Sequence, residues 1–138
     1  MTGIRRRGRE LALQTLYQIE MTGDPSSASL ELFWRHFEGN DKVREFARRL
    51  ISGVITQQTE IDRLLKQAAD HWKLSRMSKV DLNILRLASY ELLFCPDIPL
   101  NVSIDEAIEI GKRYGTADSA TFINGVLDQV ACATGAKE

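Results

Sequence analysis

At 138 residues, 43% hydrophobic and 27% charged, the chain has the make-up of one soluble globular domain that buries a core without disulfide or metal staples. A formal net charge of −1 excludes a polycation that binds nucleic acid over its whole surface, so any phosphate-binding capacity has to be local. No apolar run approaches the roughly 18 residues of a membrane span, and the N-terminus lacks the apolar stretch of a secretory signal, so a cytoplasmic protein is expected.

Arg5, Arg6, Arg7 and Arg9 put four cations ahead of the first acid, Glu10. Ala12, Leu13, Leu16 and Tyr17 follow at helical spacing, which fixes this cluster to the start of an amphipathic helix over about Gly3 to Met21. Guanidiniums held on a helix meet phosphates at defined spacing, whereas a flexible basic tail attracts any anion. Gly23-Asp24-Pro25 ends the helix, because Pro25 has no amide hydrogen with which to continue it. Ser26 or Ser27 caps a second helix with Leu30, Phe33, Trp34 and Phe37 on one face. Asn40 or Asp41 caps a third, burying Val43, Phe46, Ala47, Leu50 and Val54. Gly53 within it marks either a weak point or a close helix contact. Ile61, Leu64, Leu65, Ala68 and Trp72 extend the stripe, in the same helix or a separate one.

Ser78-Lys79-Val80-Asp81 has the spacing of a capping box. The helix behind it, from Leu82 to Phe94, is apolar on nearly every side, as a helix surrounded by neighbours must be. Pro96 and Pro99 stop it. Asn101 or Ser103 caps the next helix, which buries Ile104, Ala107, Ile108 and Gly111 and ends at Gly115. Thr116 or Asp118 caps a last one with Phe122, Ile123, Val126, Leu127 and Val130 on its inner face. No segment alternates as a strand does, so the fold class is all-α, with six or seven helices.

Catalytic chemistry is not specified. His36 and His71 stand far apart without companion ligands, and Cys95 and Cys132, each beside apolar residues, read as small buried thiols. Neither a phosphate-binding glycine loop nor a nucleophile motif occurs. A binding or adaptor role with no cofactor and no metal is expected. From Asp97 to Asp128 six acids face only Lys112 and Arg113, a charge asymmetry suited to phosphates at one end and a basic partner at the other.

Three stretches carry a resemblance over essentially the whole chain: Arg5 to Tyr17, Val80 to Leu92, and Ile98 to Asp128, the last containing Ile-Asp-Glu-Ala-Ile-Glu and Phe-Ile-Asn-Gly-Val-Leu-Asp. In order and spacing they resemble the NusB family of bacterial transcription antitermination factors. The resemblance implies two small packed helical bundles, an N-terminal lobe of about 1–72 and a C-terminal lobe of about 73–134. It implies binding of single-stranded boxA RNA together with NusE, a small-subunit ribosomal protein. The pair would join the elongating RNA polymerase complex with other Nus factors and suppress premature termination, notably on ribosomal RNA operons. By that resemblance Arg5, Arg6, Arg7 and Arg9 match the RNA-contacting arginines. Asp118, Ser119 and Phe122 match the helix start that lines the RNA, and Tyr17 and Asp81 lie near the partner contact. Gly8 departs from the alanine common in the family, a change costing up to ~1 kcal/mol of helix propensity.

Each position has a structural alternative. Tyr17 and Phe122 continue apolar faces and could be core, Asp81 is accounted for by the capping box, and Asp118 by an N-cap. An acid beside RNA repels phosphate but accepts hydrogen bonds from base edges. Two other function classes remain: the RNA-binding domain of a ribosomal RNA methyltransferase, disfavoured because no glycine-rich cofactor domain follows, and a helical protein-protein module without RNA. A homodimer through an exposed helix face is a further alternative.

Overall fold

The computed structural model describes residues 3–23, Trp34, 40–69 and 72–135. Among these are five α-helices: α1 (Ile4–Thr22), α2 (Asp41–Ala68), α3 (Lys79–Phe94), α4 (Leu100–Tyr114) and α5 (Ser119–Ala133), with one 3-10 turn over Leu74–Arg76 before α3. The all-α expectation holds. Of the two readings left open, the third helix and its continuation are one helix of 28 residues. The expected second helix lies outside the described residues except for Trp34, which is helical and donates its indole N–H to Thr15 Oγ1 at 3.0 Å. His36 and His71 also lie outside them.

Gly53 does not break α2; it is where a side chain of α3 packs directly on the helix backbone. The Tyr90 ring lies over its Cα, in space that a Cβ would occupy. Asn40 caps α2, its Oδ1 accepting from the Val43 amide at 2.9 Å. Val43, Phe46, Ala47, Leu50 and Val54 are all buried as the periodicity requires. Trp72 is not. Its amide donates to the Ala69 carbonyl at 2.9 Å, so the backbone turns out of the helix before it can carry the indole inward.

α3 packs against all four other helices, which explains why its sequence is apolar nearly all round. Leu82, Ile84, Leu85, Leu87 and Ala88 fill the core. Of the polar residues sealed in with them, Asn83, Arg86 and Glu91 are matched, while Ser89 Oγ is buried with no hydrogen-bond partner among the described residues. Asn83 Nδ2 donates to the Lys79 carbonyl at 2.8 Å. Arg86 donates to Asp62 at 2.9 and 3.0 Å and to Glu20 at 2.8 Å. Glu91 receives Arg9. Arg9 and Glu20, near opposite ends of α1, thus meet Glu91 and Arg86 in reverse order, which sets the antiparallel alignment of α1 on α3.

The caps of the last helices differ from expectation. α4 begins at Leu100, directly after Pro99, so neither Asn101 nor Ser103 is a cap. Ser103 is buried one turn in and donates to Glu91 Oε1 at 2.8 Å. Asp118 makes no side-chain cap bond. Ser119 Oγ instead accepts the Thr116 amide at 2.9 Å. Of the cysteines, Cys95 is buried, its thiol pKa pushed up by burial, whereas Cys132 is exposed.

Gly53→Ala forces the Tyr90 ring off its seat. Overpacking of this kind costs about 1–3 kcal/mol, more than the ~1 kcal/mol of helix propensity that alanine adds. Urea unfolding should show a lower midpoint with little change in the slope of free energy against denaturant.

Candidate nucleic-acid interface

α1 brings the four arginines into the folded domain in two different states. Arg5 and Arg6 are exposed on its first turn, and Arg7 is half-buried. Arg6 donates through Nε and Nη2 to Glu106 Oε2 at 2.9 and 2.6 Å. Arg5 reaches Asp97 at 3.5 Å and lies over the Phe46 ring, 5.1 Å from its centroid. Arg9 corrects the sequence expectation. It is only 3% exposed, and its Nε and Nη2 form a two-pronged pair with the Glu91 carboxylate at 2.9 and 2.8 Å. A guanidinium sealed against a buried carboxylate is a bridge between helices, not a phosphate ligand. Gly8, beside it, packs on Phe46, whose Cδ2 would stand 2.8 Å from an added Cβ. The glycine therefore answers to packing as well as to helix propensity.

The acids of the C-terminal third are partly committed within the chain. Asp97 accepts from Arg49 at 2.6 and 3.0 Å, Glu106 takes Arg6, and Glu109 pairs with Lys112 at 3.2 Å. The charge presented to a basic partner is smaller than the residue count suggests. Glu10 is buried and held by Tyr114, whose hydroxyl donates to it, and by Arg113 at 3.0 Å. Both the carboxylate bond and burial raise the Tyr114 pKa, burial more.

At the other candidate positions the structure joins two groups that the sequence assigned separately. Ser119 donates to Asp81 Oδ1 at 2.7 Å, which locks the start of α5 to the start of α3. Ser119 is 1% exposed, so it builds the surface from beneath, which corrects its reading as a surface residue. Its seat requires Gly115, since a Cβ there would collide with Ser119 Oγ. The capping box is half formed: Ser78 Oγ accepts from the Asp81 amide at 3.0 Å, while the Asp81 carboxylate is turned to Ser119. Asp118 is exposed and Phe122 half-buried. Together with Trp72, Arg76, Ser78 and Asp81 they line a cleft of about 340 Å³. Trp72 meets Phe122 edge to face, ring centroids 5.6 Å apart at 71°. Tyr17 is 39% exposed and stands at the surface of α1. Trp72 and Arg76 were not among the sequence candidates; the helical stripe that ends in Trp72 pointed inward.

Fold and surface together define a helical domain with arginines on one helix start and an aromatic cleft at another. The model of the NusB family matches residues 6–132. A NusB transcription antitermination protein from Desulfatibacillum aliphaticivorans is 52% identical over 136 residues, covering 99% of this chain and 95% of that protein. NusB from T. maritima superposes with a TM-score of 0.84 at 43% identity, covering 96% of this chain and 93% of that one. A structure of the antitermination factors NusB and NusE in complex with dsRNA shares the fold, with a TM-score of 0.82 at 23% identity over 96% of this chain and 99% of that one. The chain belongs to the NusB family, whose curated relatives are transcription antitermination proteins and not enzymes.

Two outcomes follow from the ion pairs. Arg9→Ala leaves Glu91 charged in the core and should cost about 3–5 kcal/mol in urea unfolding. Replacing the pair together, Arg9→Met with Glu91→Leu, should cost clearly less than the single change. At the surface, the Arg49 hydrogen bonds hold the Asp97 carboxyl at about 2, below its ordinary 3.8. A carboxyl depressed on folding contributes stability above its unfolded pKa and loses it as pH falls through the folded value. The melting-temperature gap between the wild type and Asp97→Asn should therefore be full at pH 5 and shrink between about pH 4 and pH 2.

Proposed function

We propose that this chain binds single-stranded boxA-type RNA jointly with the ribosomal protein NusE, and that the assembly acts in the cytoplasm on the elongating RNA polymerase complex to suppress premature termination. The observation that carries the reading is the exposure of Arg5 and Arg6 on the first turn of α1, with the half-buried Arg7 beside them. Cations anchored there release counterions from RNA at fixed spacing. Their carboxylate partners are themselves at least partly exposed, so phosphate can exchange for them: Asp97 is 47% and Glu106 17% exposed in the side chain. The half-buried aromatic Phe122 and the exposed Asp118 suit an unstacked base, which a duplex does not offer.

The partner's role is thermodynamic. A protein that touches both this domain and the RNA raises the apparent affinity of each for the other by the same factor. Tyr17 and Asp81 are the contacts assigned to it. Tyr17 has an exposed ring with a hydroxyl, the kind of residue that anchors interfaces. Asp81 keeps one carboxylate oxygen beyond the one bound by Ser119.

A mobility-shift titration of short single-stranded boxA-like RNA, with and without NusE, tests this. Tighter RNA binding with NusE present is expected, and Tyr17→Ala should reduce that gain while leaving binding of RNA alone unchanged. Changing Arg5, Arg6 and Arg7 together to alanine should flatten the slope of log K against log salt by about 2, at roughly 0.7 per phosphate on a single strand. Arg9 should add no fourth increment. Salt-independent binding, or a triple variant with the wild-type slope, would sink the proposal.

A further inference from the structure

Trp72 is 58% exposed, although its spacing continues the buried stripe of α2. An indole left in solvent costs hydrophobic free energy unless something covers it. Two neighbouring clefts share it as a wall. In the first, its ring and that of Phe122 form a corner beside Arg76 and Asp118. The volume of about 340 Å³ falls in the range of small-ligand clefts, about 300–1,000 Å³. The second, of about 570 Å³, is lined by Lys66, Lys73 and Lys79. The acids in that cleft, Glu20 and Asp62, are both bound to Arg86. An aromatic wall with an exposed carboxylate on one side and lysines on the other matches the two halves of a nucleotide, an apolar base with a polar edge and a phosphate.

We propose that Trp72 is a base-stacking residue of the RNA surface: one unpaired base lies against its indole in the corner closed by Phe122, and an adjoining phosphate falls over Lys73 in the lysine-lined cleft. The inference rests on the RNA reading above and extends it to the opposite end of the surface from the arginines. Asp118 then stands at the base edge, where a carboxylate accepts from an exocyclic amino group and repels a carbonyl, so bases bearing an amino group are favoured. Stacking releases no counterion, while the lysine contact does and so weakens with salt. The two halves therefore leave different signatures.

Anisotropy titrations of a labelled single-stranded boxA-like RNA over a salt series separate them. Trp72→Ala should weaken binding about tenfold, within the range for loss of one stacked base, at an unchanged salt slope. Trp72→Phe should hold within about threefold of the wild type. Lys73→Ala should flatten the slope by about 0.7, one phosphate on a single strand. RNA should quench tryptophan emission in the wild type and not in Trp72→Phe, where only the buried Trp34 reports. Wild-type affinity in Trp72→Ala, equal losses in Trp72→Ala and Trp72→Phe, or an unchanged slope in Lys73→Ala overturns the inference. RNA binding that is salt-dependent but indifferent to Trp72 and Lys73 removes it while leaving the proposed function standing. A wild-type protein that binds no RNA removes both.

Discussion

The buried pairing of Arg9 with Glu91 is the contact on which the exposed surface depends. A charged pair in a core contributes little net stability, because desolvation offsets most of the Coulomb attraction. What it contributes here is placement. Two parallel hydrogen bonds at 2.9 and 2.8 Å fix the rotation of α1 against α3, and Ser103 of α4 completes the carboxylate's shell at 2.8 Å. Once Arg9 points inward, helical geometry decides where Arg5 and Arg6 emerge. One arginine is committed to the core so that its neighbours reach solvent in a defined direction.

The same logic recurs at the far end of the surface. Asp81 and Ser119 lie 38 residues apart in the chain and are joined at 2.7 Å. Ser119 also takes the Thr116 amide at 2.9 Å. That one hydroxyl holds the turn that leads into α5 and ties the helix to α3, which in turn sets Phe122 and Asp118 beside the cleft. Buried polar groups thus position exposed ones at both ends, each on an apolar core centred on α3.

Much of this was legible in the sequence. Periodicity placed the first helix within one residue at each end and identified α3 as a helix surrounded by neighbours, since a helix apolar on all sides has few other places to be. The Ser78 and Asn40 caps were readable because they are local. What local pattern could not reveal was partnership across the chain. Nothing near Arg9 distinguishes it from Arg5; the difference is Glu91, 82 residues away. Ser119 looked like a surface residue at a helix start because Asp81, its acceptor, belongs to another helix. Trp72 fitted the stripe, and only the turn at Ala69 takes it out. Gly53 was ambiguous for the same reason, its explanation being the ring of Tyr90.

The separation between Arg6 and Glu106, 100 positions along the chain, has a consequence for the time in which the protein is made. At ribosomal rates of about 5–20 residues per second, the N-terminal arginines precede their acidic partners by roughly 5–20 s. Throughout that interval the nascent chain displays a basic segment that is neither oriented nor partly neutralised, close to the ribosome's own RNA. Restraint arrives only with the C-terminal half, when Glu91 draws Arg9 inward and Glu106 engages Arg6. The orientation of this surface is therefore a property of the finished chain and not of its basic segment alone.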